Sequence, residues 1–306
     1  MATPPTPPYR RRRLLALGGL LAAVVAIAVV VAVALGGSGG ASDASSKPAA
    51  SARPVARTTT TSTSTVSGPA RDMGRPGPPR PVPILMYHVV SDPLPNSPYP
   101  DLYVPRAEFQ DQMQALKRAG YTAVTLQEAW DSWHANGPLP KRPVVVSFDD
   151  GYHSHYANAL PVLRALGWPG TLNLELKNIR SDYGLTVPQI RAMIAAGWEV
   201  DSHTIDHPDL TTVDATRLRH EVADSRAELK ARFGIPVNFF CYPAGRYDDA
   251  AVAAVQAAGY LAATTTNPGL AQPAESDRFT LDRVRVNGGT SGATLVSQLA
   301  GLGAAG

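Results

Sequence analysis

From about residue 81 onward, apolar and polar positions follow two alternating rhythms. Short runs of β-branched and aromatic residues are followed by segments whose apolar positions recur every three or four residues. The runs predict strands over 82–90, near Val124, and over 144–148, 171–176, 198–202, 237–242, 261–265 and 280–286. The intervening segments predict helices over 105–119, 126–133, 153–166, 188–196, 214–233, 248–258 and 291–302. In the first of these, Phe109, Met113 and Leu116 share a face. Thr125 and Glu128 form a capping box at the start of the second. Gly167, Gly197, Gly234 and Gly259 stand where helices should stop. About seven βα units with no long gap indicate a parallel α/β fold.

Two strand ends carry the candidate chemistry. The run 144–148 leads into Asp149-Asp150-Gly151, and the run 198–202 leads into His203 and His207, four residues apart. A carboxylate with two imidazoles is a ligand set that leaves coordination positions open on a divalent metal. The second aspartate is then free to act as a base, and metal-assisted hydrolysis follows. Adjacent residues of a regular strand face opposite ways. Gly151 permits the turn that would let both carboxylates reach one cleft; Asp-Asp-Gly is also an ordinary turn sequence. All these residues follow the C-terminal ends of strands, the active face of a (β/α) barrel. An open doubly wound sheet is the alternative fold, but no glycine-rich phosphate loop accompanies it.

The N-terminal quarter changes the picture. Arg10–Arg13 precede an apolar run over 14–35, which as a helix would span about 33 Å. The arginines should remain cytoplasmic, so we expect a basic segment (1–13), a transmembrane signal anchor (14–35) and an exported remainder. If the anchor were cleaved, the product would be secreted. Residues 36–80 are rich in Gly, Ala, Ser, Thr, Pro and Arg and read as a disordered spacer. Residues 81–306 form one predicted domain with formal charge −5, while residues 1–80 carry +8. The basic character of the whole chain therefore belongs to the tail, and no nucleic-acid groove is expected. Cys241 is the single cysteine. The exported domain must hold together without an internal disulfide.

With these residues in view, the stretch from about Pro81 to Val286 resembles the polysaccharide deacetylases of carbohydrate esterase family 4. Ser147-Phe148-Asp149-Asp150-Gly151 is similar to the family's first motif, and Ser202-His203-Thr204-Ile205-Asp206-His207 to its second. Phe240-Cys241-Tyr242-Pro243-Ala244-Gly245 is similar to its third. The resemblance implies a distorted (β/α)7 barrel. It also implies Asp149 as catalytic base and a divalent ion, usually zinc, on Asp150, His203 and His207. Tyr242 and Ala244 correspond to the substrate and oxyanion segment, where Ala244 occupies a tyrosine position and offers its backbone N–H. Cys241 stands where an arginine is common. Arg283, with Arg285 as rival, corresponds to the arginine that orients the base. The late Leu-x-His that normally supplies the general acid is missing. Pro83–His88 is similar to the opening of a subgroup that includes exported poly-N-acetylglucosamine deacetylases, and implies His88 as its replacement. His153 and His155 are expected at exposed first-turn positions, and Trp130 and Trp133 either flank a sugar groove or pack in the core.

The expected function is removal of N-acetyl groups from an extracytoplasmic N-acetylated glycan. De-O-acetylation uses nearly the same chemistry, and a non-catalytic glycan-binding module is a further alternative. Iron(II) oxygenase chemistry would leave Asp149 without a task. Glycoside hydrolysis would need Asp149 and Asp150 on opposite sides of a sugar, which adjacent residues do not achieve.

Overall fold

The computed structural model describes residues 69–304. Its strands are β1 (Ile84–Tyr87), β2 (Thr122–Val124), β3 (Pro143–Asp150), β4 (Thr171–Leu174), β5 (Glu199–Ser202), β6 (Phe239–Cys241), β7 (Ala262–Pro268) and β8 (Leu281–Arg285). All their pairings are parallel. β1 pairs with both β8 and β3, which closes β1, β3, β4, β5, β6, β7 and β8 into a seven-stranded barrel. β2 is an addition to that ring. It pairs with Pro143–Val145 of β3, whereas β4 takes Ser147–Asp150. The expected (β/α)7 barrel is thus the observed architecture.

The helices are α1 (Arg106–Arg118), α2 (Leu126–His134), α3 (Leu160–Leu166), α4 (Val187–Ala195), α5 (Ala215–Arg219), α6 (Ser225–Phe233), α7 (Asp249–Ala257) and α8 (Gly292–Gly301). Their starts follow local chemistry: Thr125 and Thr186 close capping boxes with Glu128 and Gln189, and Asp214, Asp248 and Ser291 accept from the first-turn amides. Two predicted helices are interrupted. A π-helical turn at His155–Ala159 precedes α3, and another at His220–Asp224 separates α5 from α6. Such turns widen the helix by one residue and redirect a side chain.

Alternation along the strands sorts the interior from the exterior. Leu85, Tyr87, Val146, Phe148, Leu172, Leu174, Phe240 and Val284 point outward and pack with α1, α3, α4, α6, α7 and α8 in the main core. Ile84, Val145, Phe239, Ala262 and Leu281 point inward and form a plug at the N-terminal end of the barrel. Helix α2 covers that plug with Leu126, Ala129, Trp130 and Trp133. Both tryptophans therefore serve packing at the end remote from the candidate chemistry.

The expected cytoplasmic segment 1–13, the anchor 14–35 and residues 36–68 of the spacer lie outside the described residues. Residues 69–80, assigned to the spacer by composition, lie along the domain. Arg71 makes two 2.8 Å bonds to Glu128, Met73 packs against the inner plug, and the Trp133 indole donates to the Arg80 carbonyl at 2.8 Å. Few apolar residues were needed, because the strand of contacts is polar and uses partners already on the barrel. Among the described residues, no helix is long and apolar enough to cross a membrane.

Candidate active site

The inward-facing residues change character toward the C-terminal end of the barrel. Above the apolar plug come Ser147, Asp149, Asn173, Asp201 and Arg283, all buried. Asp149 and Asn173 are register partners, as are Asn173 and Asp201. Asp149 is gripped on three sides. Arg283 donates from both terminal nitrogens to its two carboxylate oxygens, each at 2.8 Å, and Asn173 donates to Oδ1 at 2.7 Å. The Cys241 thiol lies 3.8 Å from Oδ2. Burial alone would favour the protonated form; the Arg283 charge and its paired hydrogen bonds outweigh it and hold Asp149 well below the usual carboxylate range. Of the two rival arginines, Arg283 is level with the base, while Arg285 is exposed at the cleft mouth.

Strand alternation should send Asp150 outward, but the backbone turns left-handed there. Asp150 has φ 72° and Gly151 φ 82°. Both aspartates thereby border one cleft. The same device recurs around it: Thr204 (φ 69°), His207 (φ 57°) and Ala244 (φ 51°) are, with Asp150, the described non-glycine, non-asparagine residues at positive φ. Each such conformation costs roughly 1–3 kcal/mol and persists where the surroundings impose it. Here the imposing contacts are visible. The His207 amide donates to Thr204 Oγ1 at 2.9 Å, and buried Glu221 accepts from the Ile205 and Asp206 amides at 2.8 and 3.0 Å. Glu221 comes from the second π-helical turn.

His203 and His207 bring Nε2 to 3.4 and 3.7 Å from Asp150 Oδ1. Ligand atoms held about 2.0–2.2 Å from one ion stand at roughly this separation from each other. His203 Nδ1 donates to the Cys241 carbonyl at 2.7 Å, which leaves the Nε2 lone pair directed at the cleft. The three side chains therefore fit a divalent cation.

The other expected residues are placed as follows. His88 lines the cleft with its side chain 14% exposed and Nε2 3.9 Å from Asp149 Oδ2. Burial lowers its pKa, and the charges of Asp149 and Asp150 partly restore it. Ala244 borders the cleft, and its amide donates to no described group. Tyr242 departs from expectation. It touches the cleft wall, but its amide donates to the Thr264 carbonyl and its ring packs between Phe240 and Tyr247, with the hydroxyl buried. His155 departs as well. It is fully buried under β1, with its Nε2 donating to the His88 carbonyl, because the first π-helical turn rotates it inward. His153 is exposed, as expected.

Several residues escaped the motifs. Asn173 and Glu175 follow from the strict alternation Thr171-Leu172-Asn173-Leu174-Glu175-Leu176, which sets three polar side chains on the inward face. Glu221 has no comparable signal. The cleft, of about 600 Å³, also includes Tyr99, Tyr152, Lys177 and Asp206.

Comparison with known proteins shows the family. The sequence pattern of the family described as polysaccharide deacetylase matches residues 136–263. YxkH of Bacillus subtilis (strain 168), assigned by name to the polysaccharide deacetylases, is 35% identical over 214 residues, covering 70% of this chain and 74% of YxkH. The chain belongs to the polysaccharide deacetylase family. Within it, the poly-beta-1,6-N-acetyl-D-glucosamine N-deacetylase of Staphylococcus epidermidis is 26% identical over 194 residues, 59% of this chain and 66% of that protein. The solved Streptococcus pyogenes deacetylase PplD, in complex with acetate, superimposes with a TM-score of 0.66 at 28% identity, over 72% of this chain and 98% of that one.

Proposed function

We propose that this polysaccharide deacetylase family member is a metal-dependent N-deacetylase that releases acetate from an N-acetylated polysaccharide. The observation that carries the reading is the Asp149 carboxylate, held by Arg283 and Asn173 and set beside the Asp150–His203–His207 triad in an open cleft. Asp150, His203 and His207 would hold the cation, with zinc the usual occupant of such a set. A divalent ion bound there supplies Lewis acidity toward the acetamide carbonyl and lowers the pKa of water.

The chain's own residues supply the rest. Both Asp149 oxygens accept from Arg283, but Oδ1 also takes the 2.7 Å Asn173 bond while Oδ2 has only the weaker Cys241 thiol at 3.8 Å, so Oδ2 is the atom that accepts the proton of the attacking water. The Ala244 amide donates to the carbonyl oxygen as it acquires charge. His88, 3.9 Å from Oδ2, carries a proton to the leaving nitrogen. Acetate and a free amine result.

An O-acetyl esterase would use the same groups, and a glycan-binding module would use the cleft alone. The test is acetate release by the full chain in detergent from matched N-acetylated and O-acetylated oligosaccharides, with metal content measured in parallel. The N-acetylated substrate should be cleaved, Asp149→Asn should lose about 10²–10⁴-fold in turnover, and His203→Ala/His207→Ala should lose the metal. Cleavage confined to the O-acetylated substrate makes the protein an esterase; none on either, with metal bound, makes it a binding module.

The expected glycan lies outside the cytoplasm, with the chain fixed to the membrane through 14–35. The four arginines before a 14–35 apolar run support that topology. Protease added to wall-stripped cells should clip within 36–68 and release the domain; resistance until lysis would reverse the orientation.

A further inference from the structure

The cleft contains four carboxylates, and three are engaged. Asp149 pairs with Arg283, Asp150 faces His203 and His207, and Asp206 pairs with Arg217 at 2.5 Å. The fourth, Glu175, makes no side-chain hydrogen bond or ion pair among the described residues, although it is only 8% exposed. It is not a loose surface group. It directly follows β4 on the inward face that carries Thr171 and Asn173. The backbone around it is tied down by bonds from the Leu176 and Lys177 amides to the Thr204 and Ile205 carbonyls, at 3.2 and 2.9 Å. Lys177 is exposed and does not close to salt-bridge distance. Burial acts to raise the Glu175 pKa, and the charges of Lys177 and His203 oppose that rise. Asp150, Asp206 and Tyr152 are the other ionisable groups whose fields reach it.

A nearly buried carboxylate without a partner is costly, and a ligand that supplies the partner recovers that cost. Sugar hydroxyls and amide N–H groups are neutral donors. An ammonium brings a compensating charge, and its hydrogen bonds to a carboxylate are roughly twice as strong. The amine produced by N-deacetylation is such a group. We propose that Glu175 is a specificity residue that binds the ammonium of a free hexosamine unit, so that the cleft favours partially deacetylated glycan. This rests on the N-deacetylase reading above. Each turnover would then create a ligand for the next, and deacetylation would proceed in blocks along the polymer.

The test is isothermal titration of the full chain in detergent with two β-1,6-linked tetrasaccharides, one of glucosamine and one of N-acetylglucosamine. Wild type should bind the glucosamine form about tenfold more tightly, and Glu175→Gln should bring that ratio close to one. Gln keeps the shape and the capacity to bond hydroxyls but lacks the charge. An unchanged ratio in the variant, or no preference in wild type, overturns the proposal. Acetate release from the N-acetylated form is scored separately. If it fails while the Glu175-dependent preference holds, the N-deacetylase reading falls alone; if acetate is released and no preference exists, the Glu175 assignment falls alone.

Discussion

Replacing Arg283 with leucine tests how the base is held. The guanidinium is 1% exposed and makes two 2.8 Å bonds to Asp149 and one of 2.6 Å to the Thr265 carbonyl. Removing one member of a buried pair costs about 3–5 kcal/mol, because the other charge is stranded. That is a large share of the roughly 5–15 kcal/mol that holds a typical domain together. In wild type the Asp149 pKa is depressed, so the pair's contribution is present above the unfolded carboxylate value near 3.8 and is lost as pH falls toward the folded value. In Arg283→Leu burial dominates and the pKa rises. The sign then reverses, and the variant regains stability as acidification neutralises Asp149. Urea unfolding should therefore show a deficit of about 3–5 kcal/mol at pH 7 that shrinks at pH 5. Acetate release should show the matching effect, with the acid limb of kcat/KM moved to higher pH. A double-mutant cycle with Asp149→Asn should attribute most of the deficit to the pair. A loss below about 1 kcal/mol, with an unmoved acid limb, would refute the view that Arg283 keeps the base ionised.

Two further outcomes follow from the histidines beside the base. His88→Ala should keep fold and metal yet lose about 10²–10⁴-fold on an amide substrate, and far less on an activated aryl acetate, whose leaving group needs little protonation; equal losses on both would make His88 a positioning residue. His155 is fully buried and lowered to about 4 by burial, with its bond to the His88 carbonyl opposing. Its contribution is whole above the unfolded value near 6.5 and is lost as pH falls toward 4. Wild type should thus lose about 3 kcal/mol more than His155→Gln across that window, and parallel urea-unfolding curves at pH 6.5 and pH 4.5 would contradict this.

Much of the fold was legible because periodicity, caps and helix-ending glycines are local. The order of strands and helices, the box at Thr125 and Glu128, and the placement of Asp149 and Asp150 at one strand end and of His203 and His207 just after another all depend on neighbours a few residues away. Arg283 and Arg285 illustrate where locality stops. Both have inward parity on β8, so alternation cannot separate them. Depth in the barrel decides, and depth comes from the closure of β8 against β1, where Met86 pairs with Arg285. Asn173 and Glu175 were visible as an alternating face, but their closeness to Asp149 and Asp150 arises from the register of β3 with β4. The π-helical turns broke the 3.6-residue rhythm without a compositional mark, and only tertiary contacts from His155 to His88 and from Glu221 to the 203–207 loop give them a reason. The sequence by itself determined which groups are available and at which strand ends. The closed barrel decided which of them meet, because seven parallel strands converge their inward side chains from positions more than a hundred residues apart.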